Sequence, residues 1–311
     1  MSDASVIEVS GLWHRYSKDW ALKGLDLAVR GTGVIGLLGS NGAGKSTLMN
    51  IVCGCLSQTK GTALVDGLDV RAEPLEARRR IGFLPQQAPL SPELTIREYL
   101  TFCAGLRGVA RAEIADAVAF VAERCGLTGM IDRLIANLSG GYRQRTGIAQ
   151  ALIHQPSVII LDEPTVGLDP NQIVGVRSLI REIAEQHTVI FSTHILPEVE
   201  SMCRDVIMIE HGHIVFNGDM DAFRRVVTPS TLILVCEAPP DPSAIKNAIP
   251  TVERIERLGE RKLRIGHGGA GDIVEALIEQ GRAGGWGIRE IYSEKSSLED
   301  VFAELSKGDG K

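Results

Sequence analysis

Gly39-Ser-Asn-Gly-Ala-Gly-Lys-Ser-Thr47 follows directly on the apolar run Val34-Ile-Gly-Leu-Leu38. The nonapeptide fits the phosphate-cradle pattern G-x-x-x-x-G-K-[ST], and an apolar strand leading into it, with a helix starting near Lys45, is the context that pattern requires. Gly39, Ser40, Asn41, Gly42, Ala43 and Gly44 lack the bulk that would block a polyphosphate, so their backbone N–H groups can turn inward as an anion nest. The helix opening at Lys45, Ser46 and Thr47 adds the positive end of its dipole. Lys45 supplies a point charge for the outer phosphates, and the Ser46 hydroxyl suits Mg²⁺, which prefers hard oxygen ligands. The plain alternative is a tight strand-to-helix turn.

A second stretch narrows the reading. Leu138-Ser-Gly-Gly-Tyr-Arg-Gln-Arg145 offers Ser139, Gly140 and Gly141 at the start of a helix, a second device for an anion. Taken alone it reads as an N-cap, with Ser139 capping and the glycines easing entry. A chain carrying both devices is expected to bind one nucleotide between two copies of itself. Val158-Ile-Ile-Leu-Asp-Glu-Pro164 is an apolar run ending in two carboxylates, which reads as a buried central strand. Ligands of open α/β sheets lie beyond the carboxyl ends of strands, so the acids fall where the phosphates would be. Neighbouring strand residues point oppositely, which separates their roles: Asp162 suits the Mg²⁺ shell through water, and Glu163 suits a general base that orients the attacking water.

Composition limits what else the chain can be. Its 311 residues suggest about two domains, and 33 Lys+Arg against 39 Asp+Glu give a net charge of −6, which implies no general affinity for nucleic acid or an anionic membrane. The apolar runs are far shorter than the ~18 residues a membrane span needs, and Met1-Ser-Asp-Ala-Ser5 is not followed by a signal-peptide core, so the chain is expected to stay in the cytoplasm. The six cysteines form no C-x-x-C pair and read as reduced, mostly buried thiols. Cys53 and Cys55 are expected in the helix after the phosphate loop. His211-Gly-His213 reads as a turn entering a strand.

Along the chain, residues 5–38 read as antiparallel strands at Val6–Ser10, Leu25–Val29 and Val34–Leu38. About 93–140 reads as a helical insert, opened by a capping box at Thr95-Ile-Arg-Glu98. Strands return at Val158–Leu161, Thr188–Ser192 and Val206–Ile209. This alternation predicts a mainly parallel sheet with helices on both faces. A boundary near Val227-Thr-Pro-Ser230 divides a nucleotide-binding domain, 1–227, from a small C-terminal α/β domain, 228–311. Strands are expected there at Thr231–Cys236, Val252–Arg257, Lys262–Ile265 and Gly287–Tyr292, with helices at Ala244–Ala248 and Asp272–Gln280. A last helix is expected after Ser296-Ser-Leu-Glu299, with Leu298, Val301, Phe302 and Leu305 in one stripe. This domain carries no catalytic constellation and reads as a packing or dimer-stabilising module.

With Gly39–Thr47, Gln86, Leu138–Arg145, Val158–Glu163, Gly167-Leu-Asp169 and His194 in this order, residues 4–225 resemble the ATP-binding subunit of ABC transporters. Ser296–Phe302 and the small domain before it resemble the C-terminal extension of ABC-2-type exporter ATPases of the drug-resistance, sodium-export and gliding-motility kinds. The resemblance implies a P-loop α/β fold with an antiparallel β subdomain, and it adds roles. Tyr16 is similar to the aromatic residue that stacks on adenine, with Trp13 and Trp20 as competitors and an ordinary half-buried tyrosine as the plain alternative. Gln86 resembles the glutamine that touches Mg²⁺ and senses the membrane subunit. Ser139 and Gly141 resemble the groups that close on the partner's γ-phosphate. Asp169 resembles a residue exchanged across the dimer, and it also reads as an N-cap ahead of Pro170 at N1. His194 resembles the histidine that contacts the γ-phosphate. Tyr142 departs from the usual methionine or glutamine after the signature glycines, and no consensus catalytic position is degenerate.

The resemblance further implies an ATPase, using ATP and Mg²⁺, that pairs head to tail with a second copy. It would power integral membrane permease subunits from the cytoplasmic face of the inner membrane, as an exporter, without nucleic acid as a partner. Two alternatives stand beside it: a soluble ABC-type ATPase acting on nucleic acid or ribosomes, and a P-loop GTPase or small-molecule kinase. The first usually shows a coiled-coil insert or fused ATPase units. The second would have no purpose for Leu138–Gly141.

Overall fold

The computed structural model describes residues 5–227, 231–267 and 273–293. The chain forms two compact units, Met1–Met220 and Asp221–Lys311. The first begins with β1 (Ser5–Tyr16), β2 (Asp19–Arg30), β3 (Gly33–Leu38), α1 (Lys45–Val52), β4 (Lys60–Val65) and β5 (Leu68–Asp69). It continues through α2 (Pro74–Arg79), β6 (Ile81–Leu84), α3 (Ile96–Leu106), α4 (Ile114–Arg124) and α5 (Gly140–Leu152). After these come β7 (Val158–Asp162), α6 (Pro170–Ala184), β8 (Thr188–Thr193), α7 (Leu196–Met202), β9 (Asp205–Glu210) and β10 (His213–Asp219).

These strands build two sheets. The antiparallel one has the order β2-β1-β4-β5; the larger has the order β10-β9-β3-β8-β7-β6. In the larger sheet β9, β3, β8, β7 and β6 run parallel, and β10 pairs antiparallel at the edge. Val34–Leu38 is therefore not a third antiparallel strand. It is hydrogen-bonded on both sides to parallel strands, which is why it is apolar without alternation. Helix α1 lies between the sheets. Leu48, Met49, Ile51 and Val52 join Ile7, Val9 and Leu12 of β1 to Ile160, Ile190 and Ile207 of the parallel strands in one core. A helix covered on both sides can be apolar nearly all round. The alternate strand residues face the other helices: a Cβ on Gly36 would lie 2.8 Å from Cys203 Sγ, and one on Gly82 would lie 2.0 Å from the Ala151 carbonyl.

Helix α1 ends at Val52, so Cys53 is its C-cap and Cys55 lies beyond it. All six cysteines are free thiols, and burial pushes Cys125 and Cys203 up to about 12, which keeps them protonated and unreactive. The expected capping box is formed: Glu98 N–H donates to Thr95 Oγ1 at 3.2 Å and Thr95 N–H to Glu98 Oε2 at 2.8 Å, an arrangement worth about 1 kcal/mol. The insert contains α3, α4 and two short 3₁₀ turns.

The second unit begins one residue into α8 (Met220–Val227) and contains β11 (Thr231–Cys236), α9 (Pro242–Ala248), β12 (Val252–Arg257), β13 (Lys262–His267), α10 (Ile273–Ala283) and β14 (Ile288–Ser293). Its strands are ordered β12-β13-β11-β14, every neighbour antiparallel. With the helices interleaved this is the split β-α-β arrangement. Leu232, Leu234, Leu263 and Ile265 pack on Ile245 and Ile249 from the α9 side and on Ile273 and Leu277 of α10. The stripe Leu298, Val301, Phe302 and Leu305 lies outside the described residues.

His154, after α5, sets its Nε2 3.1 Å from the Ile81 carbonyl, while Nδ1 is buried without a partner among the described residues. Burial, helped by the Arg107 cation, lowers its pKa to about 4. The folded value lies below the unfolded one of about 6.5, so the unfolded chain takes up the proton first. Stability from this group is complete above pH 6.5 and declines as pH falls towards 4, by about 3 kcal/mol. His154→Gln should flatten that part of the acid limb in urea titrations between pH 7 and 4; an unchanged slope would rule the contribution out.

Candidate functional site: a nucleotide cradle at the sheet edge

Parallel register sets the site. Leu38 of β3 lies opposite Thr193 of β8 and Met208 of β9; Asp162 of β7 lies opposite Ser192, and Leu84 of β6 opposite Leu161. The loops leaving β6, β7, β8, β3 and β9 therefore emerge from one edge. They carry Gln86, Asp162 with Glu163, His194, the glycine loop, and Glu210.

The loop has room only for glycine at two positions. A Cβ on Gly39 would sit 2.2 Å from the Ile209 carbonyl; one on Gly44, where φ is +115°, would sit 2.8 Å from Leu22 Cδ2 and 2.9 Å from the Ala21 carbonyl. Gly212 N–H donates to the Ala43 carbonyl at 3.0 Å and its own carbonyl accepts from Lys23 N–H at 2.9 Å, so the His211-Gly212 turn fastens the loop to β2. Both the Ser40 amide and its hydroxyl donate to the buried Glu210 carboxylate. Lys45, only 5% exposed, donates to the Gly39 carbonyl at 2.8 Å and the Ser40 carbonyl at 2.9 Å. Burial lowers its pKa, while Glu163, Asp162 and Glu210 pull the other way. An ammonium has three donors, so one remains beyond those two carbonyls. Ser46 is exposed on the first turn of α1.

The two acids go separate ways. Asp162 accepts from Ser192 Oγ at 2.6 Å, and Ser192 Oγ in turn accepts from Glu163 N–H at 2.8 Å. Glu163 has a positive φ of 47°, a conformation that is uncommon outside glycine and carries strain. It turns the carboxylate off the strand: Oε2 accepts from Gln86 Nε2 at 2.9 Å, and Oε1 lies 3.0 Å from His194 Nδ1. Gln86, Glu163 and His194, distant in sequence, thus form one hydrogen-bonded row beside Lys45.

Tyr16 ends β1, 51% exposed, its ring edge-on to buried His14 with centroids 4.6 Å apart. Trp13 and Trp20 pack edge-on against each other at 5.2 Å. Asp169 caps α6, accepting from Asn171 and Gln172 N–H. Ser139 occupies the cap position of α5, yet its hydroxyl makes no capping bond. Gly141 packs on α6, where a Cβ would lie 3.0 Å from Gln172. Among the described residues, Ser139–Gly141 share no hydrogen bond with the phosphate loop of their own chain. Sequence reading missed Ser192 and Glu210. Both stand at the ends of strands it had found, and only the register shows that they face the site.

The ABC transporter family matches residues 22–166. A daunorubicin resistance ATP-binding protein, DrrA2 of Streptomyces coeruleorubidus, is 32% identical over 98% of this chain and 96% of its own. The Nod factor export ATP-binding protein I of Rhizobium sp. (strain N33) is 31% identical over 96% of each. Among solved structures, cbiO1 of Clostridium perfringens, part of the ABC transporter complex cbiONQ, superposes with a TM-score of 0.65 at 29% identity, covering 72% of this chain and 95% of that one. A glycine cradle of this geometry on a sheet so matched leaves one assignment: the chain belongs to the ABC transporter family, as an ATP-binding subunit that hydrolyses ATP.

Proposed function

We propose that this subunit binds MgATP at the sheet edge, closes head to tail on a second copy, and so drives the membrane subunits of an exporter. The observation that carries the reading is the row Gln86–Glu163–His194 beside the phosphate loop. Two donors hold the Glu163 carboxylate, which orients it as the base for an attacking water. Lys45 keeps a donor for the outer phosphates. Tyr16, exposed on a hairpin that packs on Gly44 through Leu22, offers an open ring to adenine.

The donor set also fits Mg²⁺. Ser46 presents a hydroxyl, Asp162 keeps the oxygen that Ser192 does not use, and Gln86, donating through nitrogen, keeps its amide oxygen. These are hard ligands few enough to leave several waters on the ion, whose charge would offset that of the phosphates.

The uncommitted hydroxyl of Ser139, with the N–H groups of α5 behind it, supports a role on the partner's nucleotide, and Asp169 lies on the helix that packs against it. No helix among the described residues is long and apolar enough to cross a membrane. Permease subunits would therefore hold the chain at the cytoplasmic face of the inner membrane. Phe102 and Leu106, 58% and 71% exposed on α3, give the insert an apolar surface near the Gln86–Tyr99 stretch for them. Export is supported by the full-length likeness to proteins of drug resistance and Nod factor export.

Glu163→Gln should keep ATP affinity and slow hydrolysis by about 10²–10⁴; unchanged turnover removes Glu163 from the role. Lys45→Ala should weaken ATP binding by calorimetry, and wild-type affinity would count against the cradle. With ATP present, Glu163→Gln should sediment as a dimer, whereas Glu163→Gln combined with Ser139→Arg should stay monomeric. A dimer in the double variant would dismiss the head-to-tail arrangement.

A further inference from the structure

One buried acid has no part in the chemistry above. Glu198 of α7, only 1% exposed, accepts from Thr193 Oγ1 at 2.7 Å through Oε2 and from Arg177 Nη2 at 3.0 Å through Oε1. Thr193 Oγ1 also accepts from Ile195 N–H at 3.0 Å, and Glu198 N–H donates to the Ile195 carbonyl at 3.0 Å. The residues on both sides of His194 are thus suspended from one carboxylate. Arg177 belongs to α6, and a second tie joins the same helices where Arg181 Nη2 donates to the Ser201 carbonyl at 3.0 Å.

We propose that Glu198 is a positioning residue for His194: it fixes the Thr193–Ile195 turn and, through Arg177, anchors that turn to α6, the helix that Asp169 caps. Stability alone does not explain the pair. Desolvating two charges offsets most of their attraction, and Arg177 Nε is left buried without a partner among the described residues. What the pair supplies is direction. Thr193 lies in register with Leu38, the last residue before the phosphate loop, so a turn held there keeps the imidazole against Glu163. Movement of α6 would be passed to His194 through the same carboxylate.

This inference rests on the proposed role of His194, and the test separates the two. ATP turnover of the full chain is measured for His194→Ala, Glu198→Ala, Glu198→Gln, Thr193→Val and the pair His194→Ala/Glu198→Ala. Glu198→Ala should lower kcat about 10- to 100-fold, the scale on which a misplaced group is felt, with KM for ATP within about twofold. Glu198→Gln should recover part of the loss, because its amide oxygen still accepts from Thr193. The double variant should be no slower than His194→Ala, since groups acting through one another are not additive. Glu198→Ala strands a half-buried guanidinium and can unfold the chain; Thr193→Val leaves the ion pair intact and should reproduce the fall in kcat. If His194→Ala is slow while Glu198→Ala and Thr193→Val turn over normally, or if the losses multiply in the double variant, the positioning role is overturned alone. Normal turnover in His194→Ala overturns the histidine's role and this one with it.

Discussion

The C-terminal ends of β6, β7, β8, β3 and β9 stand side by side because their parallel ladders run without interruption from Leu84 through Asp162, Thr193 and Leu38 to Met208. Side chains alternate along a strand, so a slip of one residue would turn each terminal group to the other face. The buried faces forbid that slip. Ile160, Ile190, Ile207 and Leu37 sit in the core shared with α1, while the alternate residues meet α5 and α7. Packing on both faces therefore fixes, to within a residue, where Asp162 ends and Glu163 turns. The chemistry is positioned by apolar residues that never touch the nucleotide.

That edge gathers opposing charges in a poorly solvated place. One buried ammonium, Lys45, lies among Asp162, Glu163 and Glu210. Each carboxylate is occupied by donors: Ser192 on Asp162, Gln86 and His194 on Glu163, Ser40 on Glu210. Burial works against the Lys45 charge and lowers its pKa, and the three acids around it offset part of that effect. Such an edge cannot take a triphosphate by lysine alone, because the incoming charge meets carboxylates as well as the ammonium. Under the proposed function, a divalent ion among Ser46, Gln86 and Asp162 would resolve the conflict and make the cradle and the acid pair parts of one device.

Much of this was legible in the residues. The glycine loop, the apolar run into Asp162-Glu163, the Thr95 capping box and the Asp169-Pro170 helix start each depend on local geometry, and local geometry is written in consecutive residues. Partnership across the sheet is not. Val34–Leu38 read as an antiparallel strand because it follows two of them, yet its bonds go to strands more than 150 residues away. The short strands β5 and β6 carried too few residues to show a period. Ser192 and Glu210 passed unnoticed for the same reason: a serine or glutamate at a strand end has no meaning until its lateral neighbour is known. Gln86 and His194 were reached through likeness to a family and Glu163 through the apolar run before it; only the fold joins the three in one row.

The helix starts fit the proposal that one chain holds only half of the machine. Thr95, Asp169 and Ser139 all precede helices in extended backbone, with φ and ψ of −72° and 161°, −73° and 162°, and −65° and 163°. All three could cap. Thr95 and Asp169 do, closing on N–H groups two or three residues ahead. Ser139 does not, although a cap there would contribute about 1 kcal/mol. The forgone cap leaves the exposed Ser139 hydroxyl and uncapped N–H groups at the positive end of a 13-residue helix, fastened by Gly141 to α6. An anion would satisfy them, and the loop that would carry one makes no hydrogen bond to them within the same chain. In the proposed head-to-tail pair, a phosphate held by Lys45 of a second copy would meet that need, and the same contact would bring α6, with Asp169 at one end and the Arg177–Glu198 anchor further along it, to the closing surface. On the proposed function, the missing cap is a bond left open for assembly.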